Sequence, residues 1–196
     1  MTPAVLIPRP ETELLVELAL AACPENLPLG LADVCTGSGC VSVAIAHERP
    51  AVTIVATDIS TDALDVARRN AERHRVAARI DWRRADLFDA DGGPFDLVVA
   101  NPPYVAERDR PTLQPEVRDH EPALALFAGE DGLDVIRRLL PESVPRLRAG
   151  GTLLFEFGFG QGDAVAQLIS ATRGLTMSDL RHDLQGIPRV AIAKRA

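Results

Sequence analysis

Short apolar runs alternate with helical patterns along most of this 196-residue chain. The run at residues 52–59 is rich in β-branched side chains, which favours a strand. Residues 11–22 instead place Leu14, Leu18 and Ala22 on one face, as an amphipathic helix does. Alternation of this kind is typical of a mostly parallel sheet with helices on both faces. We therefore predict an α/β fold.

The predicted elements follow one another with short connections, apart from one long segment. Helices are expected at residues 11–22, about 38–47, from Ser60 or Thr61 onwards, about 131–147 and 164–172, and strands at 30–36, 52–59, about 79–87, 96–100, 152–158, about 175–183 and 189–194. Residues 105–130 show no clean period and contain Pro111, Pro115 and Pro122. A loop of that length in a compact domain is usually functional, so we predict a substrate loop there.

Composition narrows the class of protein. The chain is 46% hydrophobic and long enough for one sizeable core, so we expect residues 1–196 to form a single domain. No apolar run approaches the roughly 18 residues of a membrane span, and the N-terminus lacks the pattern of a signal peptide, which predicts a cytoplasmic protein. A net charge of −7 disfavours a nucleic-acid partner. The three cysteines and four histidines show no metal-ligand spacing, which predicts free thiols and no metal site.

Polar residues and glycines follow three predicted strands, at the edge where ligands bind in such sheets. After the first strand, Gly37 and Gly39 permit a tight turn, and the next helix directs free N–H groups at the same space. Asp58 ends the second strand, 21 positions after Gly37, an offset that suits a carboxylate accepting from two ribose hydroxyls. Asp86 and Leu87 end the third strand, where Asp86 could accept from an adenine amino group while Leu87 packs against the ring. The three loops predict a pocket for an adenosine that carries an amino acid.

Each of these features has a simpler interpretation when it is taken alone. The glycine pair suits a plain strand-to-helix turn, Asp58 a helix cap, and Asp86 a surface acid. Asp33, at the end of the first strand, belongs to the pocket interpretation, because it could attract a cationic amine. Ser42 stands where the dinucleotide pattern GxGxxG needs its third glycine, which disfavours NAD or FAD, and the P-loop sequence is absent from the chain.

The fourth strand runs into Asn101, Pro102, Pro103 and Tyr104. The two prolines fix φ, so Asn101 is held with little entropy left to lose. The side-chain carbonyl of Asn101 and the backbone carbonyl of Pro102 could both accept from one –NH₂ group, and Tyr104 offers a face for stacking. These features select a planar amine, either an amide or an exocyclic base nitrogen. The simpler interpretation is a rigid turn after a strand.

A planar amine is a poor nucleophile because its lone pair is delocalised. Hydrogen bonds accepted from both of its N–H groups raise the electron density on nitrogen and align the lone pair with an electrophile. A methyl sulfonium is a suitable electrophile, since attack dissipates its positive charge and needs no metal. The pocket and the amine site together predict methyl transfer to nitrogen.

NPPY after a strand, with DVCTGSG upstream at 33–39, resembles the amino-methyltransferases that use S-adenosyl-L-methionine. Five stretches resemble, more specifically, the peptide-release-factor glutamine N5-methyltransferase family. They are LIPRPETE at 6–13, NPPYV at 101–105, LQPEVRDHEPALAL at 113–126, GEDGLD at 129–134 and DLQGIPRV at 183–190. The resemblance implies a Rossmann-like methyltransferase fold with a seven-stranded, mostly parallel sheet and one antiparallel strand. It implies S-adenosyl-L-methionine as cofactor and a glutamine side-chain amide as acceptor, in the Gly-Gly-Gln motif of a peptide chain release factor or in another glutamine-bearing protein.

Roles for individual residues follow from the resemblance by position. The resemblance implies that the methionine part of the cofactor is bound by Cys35, Thr36, Gly37, Ser38 and Gly39. It implies that Asp58 binds the ribose and that Asp86 and Leu87 bind the adenine. The substrate amide is expected to bind to Asn101, Pro102, Pro103 and Tyr104. Asn101 is also expected near the cofactor, and Asn101, Pro102 and Tyr104 are the expected catalytic residues. Residues 9–13 are expected to line the same mouth, although a helix N-cap with an Arg–Glu surface pair would also explain them.

Two departures from the family keep alternatives open. Cys35 stands where the family usually has glycine, and only seven residues precede Pro8, where family members usually carry a helical domain. We expect cofactor binding to survive the first departure, since a thiol is small. NPPY is shared with adenine-N6 methyltransferases, so transfer to nucleic acid is one alternative, although it would require a flipped base. A non-catalytic module that binds the cofactor is another.

Overall fold

Seven strands form one sheet in the computed structural model, which describes residues 4–90 and 92–196. The strands are β1 (Leu29–Val34), β2 (Val52–Asp58), β3 (Ile80–Arg84), β4 (Phe95–Ala100), β5 (Leu147–Glu156), β6 (Leu175–His182) and β7 (Pro188–Arg195). Their order across the sheet is β3-β2-β1-β4-β5-β7-β6. Strand β7 is antiparallel to both neighbours, and the pairs from β3 to β5 are parallel. The mostly parallel sheet with one antiparallel strand is therefore confirmed.

Within the described residues, seven α-helices connect or flank the strands. They are α1 (Glu11–Ala22), α2 (Cys40–Glu48), α3 (Thr61–Arg73), α4 (Pro115–His120), α5 (Ala123–Leu126), α6 (Asp134–Ser143) and α7 (Gly162–Ala171). Helix α1 has the predicted bounds. Helix α3 begins after Ser60, whose hydroxyl accepts from the backbone N–H of Ala63 over 3.2 Å, so the predicted cap is confirmed at Ser60.

Two apolar clusters cover the two faces of the sheet. Helices α1 and α2 pack Leu15 and Ile45 on one face, against a group of strand residues that includes Val99. Helices α6 and α7 pack Ile136 and Ile169 on the other face, against a group that includes Val98. Neighbouring residues of β4 point to opposite faces, so both sides of this central strand are buried. Helices on both faces are thus confirmed.

The helix predicted at residues 131–147 is shorter than expected. Helix α6 ends at Ser143, a 3₁₀ turn covers Val144–Arg146, and Leu147 is the first residue of β5 rather than part of the helix. Pro145 has no N–H to continue the helical hydrogen bonds, which accounts for the early end.

Residues 105–130 contain more regular structure than predicted. A 3₁₀ helix at Glu107–Thr112 precedes α4 and α5, each too short to show a period in the sequence. The ends of the segment are joined, because Val105 N–H donates to Leu126 O over 2.8 Å and Ala128 N–H donates to Val105 O over 3.0 Å. Among the described helices, none has the length and apolar character needed to cross a membrane.

Candidate active site

A cavity of about 260 Å³ opens at the carboxyl ends of the central strands. Nine of the residues predicted for the site line it: Cys35, Thr36, Gly37, Ser38, Asp58, Asp86, Leu87, Asn101 and Pro103. Gly39, Pro102 and Tyr104 are not among its lining residues. A Cβ added to Gly39 would come within 2.9 Å of the Cβ of Ala67, so this glycine permits close packing of the loop against α3.

Asp58 holds the glycine-containing loop in place. Its Oδ2 accepts from the Gly37 N–H over 2.9 Å, and its Oδ1 accepts from the Ser60 N–H over 2.9 Å. Burial raises the pKa of Asp58, and these backbone hydrogen bonds oppose the rise. A carboxylate has about four lone-pair sites, so both oxygens can accept further hydrogen bonds from a ligand.

Cys35 occupies a backbone conformation that glycine usually provides. Its φ is 58°, in the left-handed region, so the Cβ of cysteine imposes a steric cost there. The side chain packs against the cluster that contains Phe155. Burial raises the pKa of the Cys35 thiol, and the nearby carboxylates of Asp58 and Asp33 raise it further, so the group is a neutral wall of the cavity.

Asp33 lines the cavity and also holds the loop that follows β1. It is 2% exposed, and its Oδ2 accepts from Thr36 Oγ1 over 2.6 Å and from Ser42 Oγ over 2.6 Å. Burial raises the pKa of Asp33 to about 6, and the hydrogen bonds from Ser42 and Thr36 moderate the rise. Ser42, which breaks the dinucleotide pattern, is therefore a partner of the buried acid.

The expected adenine end of the cavity has a partner that the sequence analysis missed. Arg138 of α6 lines the cavity, and its Nη2 lies 3.0 Å from Asp86 Oδ2. Both side chains are about half exposed, so the ion pair orients Asp86 more than it stabilises the fold. Leu87 is buried with a φ of 67°, and its carbonyl accepts from Thr57 Oγ1 over 2.5 Å.

Asn101 follows β4 and faces the same cavity. Its Nδ2 donates to Thr12 Oγ1 over 3.2 Å, so one end of the side-chain amide is already engaged. Thr12 is the second residue of α1 and lies within the segment 9–13 that the sequence analysis places at this mouth. That placement is supported for Thr12, which also lines the cavity.

Tyr104 is tied to a buried acid that the sequence analysis did not identify. Its hydroxyl donates to Glu156 Oε1 over 2.9 Å, and Thr12 Oγ1 donates to Glu156 Oε2 over 3.0 Å. Glu156 is the last residue of β5 and is only 1% exposed. Burial raises the pKa of Glu156 and of Tyr104. A charged residue within the mostly apolar run at residues 152–158 was the signal available in the sequence.

Two segments outside the sheet also line the cavity and are joined by an ion pair. The first segment contributes Ala4, Val5, Leu6 and Pro8, and the second contributes Pro122, Leu124, Ala125 and Phe127. Arg9 Nη2 lies 2.7 Å from Glu121 Oε1 and 2.8 Å from Oε2. The Glu121 side chain is 5% exposed, so Arg9 neutralises a carboxylate that is nearly buried.

The arrangement places three side chains with hydrogen-bond acceptors in one cavity. Asp58 and Asp86 face it from β2 and from the loop after β3, and Asn101 faces it from the end of β4. Within the described ranges, no group of three His, Cys, Asp or Glu side chains is placed to hold a metal ion.

Comparison with known proteins places the chain among methyltransferases. The model of the methyltransferase small domain matches residues 11–117. The release factor glutamine methyltransferase of Koribacter versatilis is 42% identical over 197 residues, covering 100% of this chain and 69% of that protein. The enzyme of the same name from Cereibacter sphaeroides is 45% identical over 194 residues, covering 99% of this chain and 68% of that protein.

A solved structure shares the fold at lower sequence identity. The RNA methyltransferase of Salinibacter ruber, crystallised with S-adenosyl-L-homocysteine, is 21% identical and superposes with a TM-score of 0.61. The match covers 97% of this chain and 94% of that one, so the similarity extends over the whole sheet.

Proposed function

The chain belongs to the release factor glutamine methyltransferase family, and from that premise we propose that it methylates the side-chain amide nitrogen of a protein glutamine. The proposed donor is S-adenosyl-L-methionine, and the proposed acceptor is the glutamine of a Gly-Gly-Gln motif in a peptide chain release factor. One observation carries the proposal: Asp58, the proposed ribose ligand, and Asn101, the proposed amide ligand, line the same cavity.

The residues around the cavity fit the proposed cofactor. S-adenosyl-L-methionine, when bound, supplies a methyl group on a positively charged sulfur. Asp58 keeps lone pairs for ribose hydroxyls, and Leu87 offers an apolar surface for the adenine. A Cβ built on Gly37 would meet no described atom within 4 Å, so the loop backbone is open on that side to a ligand.

The acceptor residues act by orienting the amide. Because Nδ2 of Asn101 donates to Thr12, Oδ1 is the atom left to accept from the substrate –NH₂. The Pro102 carbonyl is the proposed second acceptor, and Tyr104 and Pro103 complete the proposed substrate site. With the cofactor bound, the amide nitrogen would use its lone pair to form the new N–C bond while the methyl–sulfur bond breaks and leaves a neutral thioether, and the nitrogen would release one proton to water. One sheet carries both halves of the site, which supports residues 1–196 as one catalytic domain, with 105–130 as its substrate segment.

Transfer of labelled methyl to a full-length release factor tests the proposal. The chain is incubated with methyl-labelled S-adenosyl-L-methionine and the release factor, and mass spectrometry locates the label. We expect one methyl group on the Gly-Gly-Gln glutamine and none when that glutamine is replaced by alanine. The Asn101→Ala variant should lose transfer while calorimetry still detects cofactor binding.

Other outcomes would contradict the proposal. Label found on DNA or RNA instead of protein would identify an adenine-N6 methyltransferase, the alternative that shares the NPPY motif. Cofactor binding without transfer to any release factor would identify a non-catalytic module. Absence of binding heat with the cofactor would contradict both the methyltransferase proposal and the non-catalytic alternative, because each requires the cofactor to bind in the cavity.

A further inference from the structure

Glu156 is a buried carboxylate to which the proposed reaction assigns no direct contact. It ends β5 and is 1% exposed, and its two oxygens accept from two different parts of the chain. Oε2 accepts from Thr12 at the start of α1, and Oε1 accepts from Tyr104 in the loop after β4. Since burying a carboxylate costs free energy, its position beside the amide site calls for a role.

The hydrogen bonds have a direction that begins at Glu156. An ionised carboxylate only accepts, and a hydroxyl has a single proton to donate. Thr12 Oγ1 donates its proton in a hydrogen bond to Glu156 Oε2 over 3.0 Å, so towards Asn101 it can act only as an acceptor. The group that Asn101 presents to Thr12, over 3.2 Å, must therefore be its Nδ2. Glu156 thus selects, through Thr12, which way the Asn101 amide is turned.

The turn of this amide matters to the proposed reaction. A substrate –NH₂ group needs an acceptor, which Oδ1 provides and Nδ2 does not. Turning the amide by half a rotation would point N–H groups at the N–H groups of the substrate. Tyr104, held to the other oxygen of Glu156, fixes the end of the same four-residue loop.

We propose that Glu156 and Thr12 are positioning residues that hold the Asn101 amide with Oδ1 turned to the acceptor. The proposal rests on the function proposed above for Asn101. It predicts that the polarity of the groups at positions 12 and 156 matters more than their size. A purely structural role, in which the three contacts only join α1, β4 and β5, predicts the reverse.

Three substitutions separate polarity from size. Thr12→Val keeps the shape and removes the hydroxyl, Thr12→Ser keeps the hydroxyl and removes a methyl group, and Glu156→Gln keeps the size and adds donors. We expect kcat to fall at least about tenfold in Thr12→Val and Glu156→Gln, with cofactor affinity within about twofold of the wild type. Thr12→Ser should keep kcat within about threefold. Thr152→Val, in the same strand as Glu156 and away from the cavity, is the matched control and should keep its kcat.

A spectroscopic readout makes the test independent of the acceptor. In the wild type, one side-chain amide proton of Asn101 is hydrogen-bonded to Thr12, so its NMR signal should exchange slowly with water. The signal should exchange faster in Thr12→Val and remain slow in Thr12→Ser. If the wild type methylates no release factor, the proposed function fails, while the exchange rates still decide whether Thr12 orients Asn101.

Two results would overturn the inference. One is wild-type kcat and wild-type exchange in Thr12→Val. The other is equal loss of kcat in Thr12→Val and Thr12→Ser, because that would show that packing, not the hydroxyl, is what position 12 supplies. Thermal unfolding of each variant identifies any loss of kcat that comes from misfolding. If Thr12→Val misfolds, the kcat of Thr12→Ser relative to the wild type decides whether the hydroxyl is sufficient.

Discussion

The Gly37 N–H donates to Asp58 Oδ2 over 2.9 Å and so joins the ends of β1 and β2 across the cavity. The acid proposed to bind ribose is thus also the acid that shapes the loop proposed to bind methionine. Since its other oxygen accepts from Ser60, Asp58 fixes the start of α3 as well. Binding and loop geometry are therefore coupled at a single carboxylate.

Two substitutions of Asp58 should lower cofactor affinity to different extents. In Asp58→Asn, one oxygen becomes an –NH₂ group that cannot accept from a backbone N–H, so one of the two anchoring hydrogen bonds is lost. We expect S-adenosyl-L-methionine to bind at least about tenfold more weakly, since a hydrogen bond to a charged group contributes about 1.5–3 kcal/mol. Asp58→Ala should bind more weakly still. Calorimetric titration measures both, and equal affinity in wild type and Asp58→Asn would contradict the assignment.

The left-handed backbone at Cys35 predicts an unusual order of stability. Alanine keeps a Cβ at a φ of 58°, whereas glycine does not, so Cys35→Gly should be more stable than Cys35→Ala by about 1 kcal/mol. At ordinary positions the order is the reverse. Urea unfolding of the two variants gives the difference, and a more stable alanine variant would mean that the backbone relaxes without cost.

Asp33 should make stability depend on pH in the acid range. Its pKa in the folded protein is about 6, above the ordinary value of 3.8, so the native state holds the proton more tightly than the unfolded state. The unfolding free energy should therefore rise as pH falls from about 7 to 4, by up to about 3 kcal/mol from this group. The side chain at this position cannot titrate in the Asp33→Asn variant, so the unfolding free energy of the wild type should increase relative to that of the variant as pH falls. If the unfolding free energies of the wild type and of Asp33→Asn changed equally with pH, Asp33 would be excluded as the source of the pH dependence.

Gly132 should be intolerant of a side chain that Gly150 accepts. Both have left-handed φ values, 78° and 75°. A Cβ on Gly132 would lie 2.2 Å from the Tyr104 carbonyl oxygen, whereas one on Gly150 would meet no described atom within 4 Å. Gly132→Ala should lose about 2–4 kcal/mol of unfolding free energy and at least about tenfold in kcat, because the loop at residues 101–104 must shift. Gly150→Ala should lose about 1 kcal/mol and keep its kcat; similar losses in both would assign the effect to backbone strain alone.

Local patterns were enough to predict an α/β fold and several of its elements. Strand β2 is rich in β-branched residues, helix α3 has a clear period and a capping serine, and Asp58 is the last residue of β2. These features depend on residues close in sequence, which is where the rules of propensity and capping apply.

The acceptor side depends on contacts that the sequence does not display. Arg9 meets Glu121 across 112 positions, and Thr12 meets Glu156 across 144. The helices α4 and α5 are too short for a period, and their positions are fixed by such long-range pairs. Glu156 could be suspected as a charge in an apolar strand, but its partners follow only from the order of β4 and β5 in the sheet.

The position of β7 has a consequence for the order in which the protein is completed during synthesis. β7 is the last strand along the chain, yet it lies between β5 and β6 and pairs Val190 with Glu156. While the ribosome is still adding residues 188–195, β1, β2 and β3 can already pair, but β5 has one bare edge. The nascent chain can therefore pair β1, β2 and β3 first, and the end of β5 that anchors Thr12 and Tyr104 gains its second neighbour only when translation of β7 is finished.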